Sequence, residues 1–257
     1  MTPCAVLFIL EGKKMNENFD AFDDYALKYD MSKNMISYKY NHSYRVVHQA
    51  EEICRSLEFD TEERDLASLI ALLHDIARFR QWTEYETFED SESFDHGEEG
   101  VKILFEEGEI KNYICKEEDY SVIKAAIRNH NKFKINTKGL NDREILHSKI
   151  VRDADKLDIL YAFSTNRLLE LENDNSEISE EVKDAFMHHT EVLKKDIKNV
   201  NDRLLMMIGL VFDLNYDYSK ERVLNEKYIE KIYDHIKHKK IFKPFIDETI
   251  KYLKGGK

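Results

Sequence analysis

The sequence predicts an all-α protein, and two observations carry that reading. Only 8 glycines and 2 prolines occur in 257 residues, which fits few turns and long helices. Apolar residues recur at spacings of three and four along most of the chain, the period of one helix face. Internal repeats, low-complexity stretches and a marked linker are all missing from the sequence. One structural domain is therefore expected: an N-terminal segment over 1–35 with a short helix, a helical core over 36–165, and a C-terminal helical extension over 166–257 packed on that core.

The elements follow in order. Asn18 to Tyr29 reads as a short amphipathic helix. Asn41 is a plausible N-cap for the next, in which Val46, Ala50, Ile53 and Leu57 share a face. A helix from Thr61 carries Glu62 and Glu63 in its first turn and the stripe Leu66, Leu69, Ile70, Leu73 and Ala77. An acidic loop from Gln81 to Asp95 comes next. Further helices are expected over His96–Phe105, Tyr120–Asn129, Asp142–Phe163, Ser179–Lys198, Asn201–Phe212, Lys220–Lys237 and Phe242–Tyr252. The run from Leu204 to Phe212 is apolar on all sides, so its burial within the monomer is expected.

Composition narrows the function. The scarcity of glycine, with neither a dinucleotide-binding nor a phosphate-loop motif, argues against both of those classes. A net charge of -12 opposes DNA, RNA and anionic membranes, but not a small anion held by a metal and a few local cations. Cys4, Cys54 and Cys115 are odd in number and lack C-x-x-C spacing, so neither a disulfide framework nor a cysteine zinc site is expected. Cys54 and Cys115 read as small core residues. No apolar run reaches the length of a membrane span. The apolar start, Ala5 to Leu10, is short, has no basic region before it, and is not read as a signal peptide; Met15 is an alternative start. A cytoplasmic location is the default expectation.

The helix from Thr61 holds the first chemistry. On a wheel of about 100° per residue, His74 flanks the apolar stripe, Asp75 points about 100° away, and Arg78 falls between them. A histidine, a carboxylate and a guanidinium thus converge at a partly buried helix end. A single His-Asp pair is expected about once by chance in a chain of this composition, so the surrounding order matters more. His42 stands in Asn41-His-Ser-Tyr-Arg-Val, His74-Asp75 in Leu72-Leu-His-Asp-Ile-Ala-Arg-Phe and His96 in Asp95-His-Gly-Glu-Glu-Gly. His130 follows in Ala126-Ile-Arg-Asn-His-Asn-Lys, and Asp155 in Arg152-Asp-Ala-Asp-Lys-Leu-Asp.

This order resembles the HD superfamily of metal-dependent phosphohydrolases, with its pattern H…HD…H…H…D on a helical bundle. The resemblance runs from residue 36 to 165 and implies an HD-type bundle with added C-terminal helices. It implies that His42, His74, Asp75 and Asp155 hold a primary metal, and that His96 and His130, with Asp75 bridging, hold a second. Asp155 is preferred to Asp153 because Ala154-Asp155-Lys-Leu-Asp158 fits the family's A-D-x-x-D segment. His130 is followed by Asn131, where some branches carry another histidine. The cofactors implied are one or two divalent transition ions: manganese, iron, nickel, cobalt or zinc. Two ions about 3.5–4 Å apart lower the pKa of a shared water towards about 7, and the hydroxide attacks phosphorus. No serine or cysteine nucleophile stands in a recognisable setting.

Arg45, Arg78, Lys132, Lys134 and Lys156 lie close to these residues in sequence and together make a credible anion-binding rim. In relatives a basic residue at the position of Lys156 touches substrate phosphate. Asp158 is expected to orient a ligand or the metal-bound water; Asp75, Asp158 and Lys156 are the candidate catalytic residues. The His-Asp-x-x-Glu-Asp variant used by alarmone hydrolases is absent. The acidic loop reads as a solvated connector anchored by Trp82, Tyr85 and Phe88, with a lid as the alternative. His48, His147, His188, His189, His235 and His238 read as surface residues.

The expected function is hydrolysis of a phosphomonoester or phosphodiester in a small molecule, with a nucleotide the choice by superfamily analogy. Alternatives are a di-iron oxygenase built on the same six ligands, and a non-catalytic module that senses a nucleotide or metal. The C-terminal helices cap the pocket or form a homodimer interface in this reading.

Overall fold

The computed structural model describes residues 3–165, 174–190 and 192–255, with side chains from residue 15 onward. Its regular structure is helical throughout, and no strand occurs among the described residues. The chain forms two compact units, Met1–Ala154 and Asp155–Lys257. Residue 166, where the C-terminal extension was expected to begin, lies outside the described residues, as do the side chains of Cys4 and of Ala5 to Leu10.

The first unit comprises α1 (Pro3–Ala26), α2 (Asn34–Ser56), α3 (Thr61–Leu73), α4 (Ala77–Tyr85), α5 (His96–Phe105), α6 (Tyr120–Asn129) and the first half of α7 (Asp142–Ser164). Its centre is α3. Asp60 caps it by accepting from the Glu63 amide, and every residue from Leu66 to Leu73 is buried. A helix apolar on all sides belongs in a core. Here α2 packs along it, and Val46, Ala50 and Ile53 of α2 are buried. Tyr40 and Tyr44 of α2 both donate to Asp23 of α1, at 2.8 and 2.6 Å.

Two departures from expectation bear on the site. Asn41 is not an N-cap: α2 begins a further two turns back, and the Asn41 amide bonds the Ser37 carbonyl inside the helix at 2.7 Å. Nor does the helix from Thr61 continue through Ala77. It stops at Leu73, and the turn His74–Ile76 is tightened by bonds from Ile76 N to Leu73 O (3.1 Å) and from Arg78 N to Asp75 O (2.9 Å). The His74 ring takes the Ala71 carbonyl at 2.7 Å, the acceptor that the Asp75 amide would use in a continuing α-helix.

The second unit holds the end of α7 and then α8 (Glu180–Met187), α9 (Val200–Ile208), α10 (Asp217–Asn225), α11 (Tyr228–His235) and α12 (Lys239–Leu253). Two long helices expected from sequence are broken. Ser179–Lys198 ends as a helix at Met187, where His189 turns left-handed with φ 54°, and Glu191 in that segment lies outside the described residues. Lys220–Lys237 divides at Lys227, which has φ 55°. Leu204, Leu205, Ile208 and Val211 are buried as expected, while Met206 and Met207 are half-buried.

Candidate metal centre

The ends of three helices and the middle of a fourth deliver five side chains to one place. His42 comes from mid-α2, His74 and Asp75 from the tight turn after α3, His96 from the first residue of α5, and His130 from the residue that ends α6. All five are buried. The close approach of α5 to the end of α6 requires Gly97, because a Cβ there would stand 2.7 Å from Asn131 Oδ1 and 3.0 Å from the Ile127 carbonyl.

Asp75 is the shared partner. Its Oδ2 faces His42 Nε2 at 3.5 Å and His74 Nε2 at 3.4 Å. Its Oδ1 faces His96 Nε2 and His130 Nε2, each at 3.5 Å. Two groups of potential ligands result, His42–His74–Asp75 and Asp75–His96–His130, and within each the donor atoms lie within 4.8 Å of one another. A carboxylate with two imidazoles on each oxygen has the form of a bridge between two cations.

The hydrogen bonds on the far side of the rings show what the near side can do. His74 Nδ1 donates to Ala71 O and His130 Nδ1 to Ile127 O, both at 2.7 Å. His96 Nδ1 donates to the Asp90 carboxylate, 2.8 Å from either oxygen. With Nδ1 protonated in each neutral ring, Nε2 carries a lone pair. His96 Nε2 and His130 Nε2 therefore point lone pairs at each other across 3.0 Å and at Asp75 Oδ1. That arrangement is repulsive unless a positive charge lies among the atoms. A proton on His96 does not supply it, since burial and the Arg78 charge push that ring down to about 3 against the pull of Asp90. The donor set fits a divalent transition ion, and the carbonyl and carboxylate behind the imidazoles are the usual orienting partners of metal-bound histidine.

Burial alone would raise the Asp75 carboxyl, but the positive charge around it, the Lys39 ammonium foremost, outweighs burial and holds the group well below the usual carboxylate range. Asp90 is depressed in the same way: burial opposes, while His96, Arg78 and Gln81 prevail. Asp75 is thus an anion at neutral pH.

Three participants were not anticipated. Lys39, one turn before His42, places Nζ 2.5 Å from Asp75 Oδ2. Asp90 corrects the reading of the acidic loop as a solvated connector, because it is half-buried and bonds His96, Arg78 and Gln81. Asn131 donates to Asp90 at 3.2 Å and Asp95 at 2.9 Å, joining the loop to the end of α6. Of the aromatics, Trp82 in the last turn of α4 packs on Phe88 with ring centroids 5.0 Å apart, and the exposed Tyr85 packs on Phe94 at 5.7 Å.

The cations expected at the rim are placed as follows. Arg78 is committed to protein partners, with Nη1 bonded to Gln81, the Phe88 carbonyl and Asp90, and with Nε 3.4 Å from Asp75 Oδ1. Arg45 is half-buried over the Tyr38 ring, which itself stacks on His42. Lys132 bonds Asp95, and Lys134 is exposed. In the second unit Asp155 is half-buried, Asp158 is wholly buried, and Lys156 is buried against Asp213 at 2.6 Å. Asp153 is wholly buried in α7.

Three of the remaining histidines, His147, His189 and His238, correct the surface assignment. His147 is buried and bonds Glu63 at 2.6 Å. His189 is half-buried, stacked on Phe212 and bonded to Glu248 at 3.0 Å. His48, His188 and His235 are exposed, and His238 is half-buried. Cys54 is buried and Cys115 half-buried, both as free thiols.

No curated protein and no solved structure matches this chain. Residues 40–160 match the family described as HD domain, a span that contains His42, His74, Asp75, His96, His130 and Asp155. The match over this segment, just under half of the chain, and the five-residue cluster are together consistent with the HD superfamily.

Proposed function

We propose that the protein hydrolyses a phosphomonoester or phosphodiester of a small molecule, and that the molecule is a nucleotide. The observation that carries this reading is Asp75, buried with two imidazoles on each oxygen. Divalent ions bound there would supply a water of lowered pKa and charge to balance developing negative charge on phosphoryl oxygens. Asp75, His42 and His74 would hold one ion, and Asp75, His96 and His130 the other. Asp155 is the proposed remaining carboxylate ligand, and Asp158, one turn on, the proposed orienting group.

The chain's own cations divide by how they are held. Arg45 is a proposed contact to phosphate oxygens, and Lys156 is a second once phosphate draws it from Asp213. Lys132 joins them when phosphate draws it from Asp95. Arg78 is held by Asp90 and the Phe88 carbonyl, so its contribution is a fixed positive field beside the site. The nucleotide rests on superfamily analogy.

Purified protein, depleted of metal by chelation and reloaded in turn with manganese, iron, nickel, cobalt or zinc, is to be assayed on p-nitrophenyl phosphate, its bis-ester, nucleoside monophosphates and cyclic dinucleotides. Metal-dependent turnover is expected. His74→Ala and Asp75→Ala, with helix content retained, are expected to lose it by about a hundredfold or more. Turnover that survives both substitutions defeats the assignment. Iron-dependent oxygen consumption without phosphate release would select the oxygenase instead. Nucleotide-dependent stabilisation without turnover would select the sensing module.

A further inference from the structure

Both oxygens of Asp75 already meet a cation supplied by the chain. Lys39 Nζ lies 2.5 Å from Oδ2, the oxygen that His42 and His74 face. Arg78 Nε lies 3.4 Å from Oδ1, the oxygen that His96 and His130 face. Each end of the carboxylate therefore has two imidazoles and one side-chain cation.

The two cations are held differently. Three further bonds, to Gln81, the Phe88 carbonyl and Asp90, fix the Arg78 guanidinium. Lys39 rests its ammonium against the face of Phe88, 5.4 Å from the ring centre, and Asp75 is the carboxylate it bonds. Its stem is four carbons long and its side chain retains partial exposure, 13%. An ammonium on such a stem can be withdrawn; the guanidinium beside it cannot without breaking the loop.

We propose that Lys39 is the built-in counter-ion of the His42–His74–Asp75 group and sets that group's affinity for metal. A divalent ion shared by Asp75 Oδ2 and two imidazoles has to approach the oxygen that the ammonium holds. Positive charges within a few ångströms of each other in a buried site repel strongly, so the ion and the ammonium exclude one another. Metal binding at this group is then an exchange of one cation for another. The metal-free protein keeps Asp75 charged and compensated, and the group selects an ion that binds tightly enough to expel Lys39. This inference rests on the metal-site reading above.

The test is calorimetric titration of manganese or zinc into the chelator-treated full chain, as wild type, Lys39→Met, Lys39→Gln and Lys39→Arg. Removing the charge is expected to tighten binding by about tenfold or more, whereas Lys39→Arg keeps a cation there and is expected to stay close to wild type. The chelated neutral variants are also expected to melt below chelated wild type, with the gap closing on metal addition, because Asp75 has lost its partner. Lys39→Gln serves if Lys39→Met is too unstable without metal to purify. Unchanged or weaker metal binding in the neutral variants overturns the role of Lys39. Failure of wild type and all variants to bind metal overturns the metal centre itself, so the two failures are distinguishable.

Discussion

Asp90 does for His96 what backbone carbonyls do for His74 and His130: it holds Nδ1–H and so turns the Nε2 lone pair inward. A carboxylate in that position also makes the imidazole a stronger donor to metal. Asp90→Ala is therefore expected to weaken metal binding at the Asp75–His96–His130 group by about 10–100-fold, with the His42–His74–Asp75 group much less affected. Two-site titration resolves the two steps, and equal weakening of both would contradict the assignment. The five clustered residues were legible in the sequence because their short motifs, each weak alone, stand in the order that the HD resemblance requires. Asp90 was not, because it is one acid among several in a polar loop, and only the folding back of that loop onto α5 selects it. Lys39 left a weaker signal in its i, i+3 spacing to His42. Its choice of Asp75 is a tertiary contact that helical periodicity does not encode.

At the scale of the element, α3 and α7 are joined by Glu63, which accepts from His147 at 2.6 Å and from Arg143 at 2.7 Å. Burial lowers the His147 pKa, and the Glu63 bond only partly opposes it. The folded state thus disfavours a proton that the unfolded chain accepts below about pH 6.5. Stability is full above that value and falls as pH drops from it towards the lower folded-state pKa. Urea unfolding should give a smaller free energy at pH 5 than at pH 7, and His147→Gln should flatten part of that slope. His96 adds to the slope in both proteins, so the difference between them is the quantity to read. A slope unaltered by the substitution would remove His147 from the account. Helices α5 and α6 match their sequence limits, because capping by Asp95 and strong amphipathic patterning act locally. The break after α3 was hidden for the opposite reason. Its residues keep helical dihedrals and an apolar face, and the interruption comes from a histidine ring competing for a backbone carbonyl.

For the molecule as a whole, the net charge of -12 favours binding a cation. No described helix is long and apolar enough to cross a membrane. The cluster of four imidazoles and Asp75 belongs to the Met1–Ala154 unit, so metal should stabilise that unit. An ion that binds only the folded state adds RT ln(1 + [M]/Kd), about 2.7 kcal/mol at a hundred times Kd. For a unit of this size that corresponds to a rise in Tm of about 5–10 °C, reversed by a chelator. Hydrogen exchange followed by mass spectrometry assigns the effect along the chain. Metal should slow exchange in α3, α5 and α6 more than in α8 to α12, and Asp75→Ala should abolish the difference. Were metal to leave melting and exchange unchanged, the cluster would be a buried polar network alone. The lone pairs that meet between His96 and His130 would then need some other positive charge to offset them.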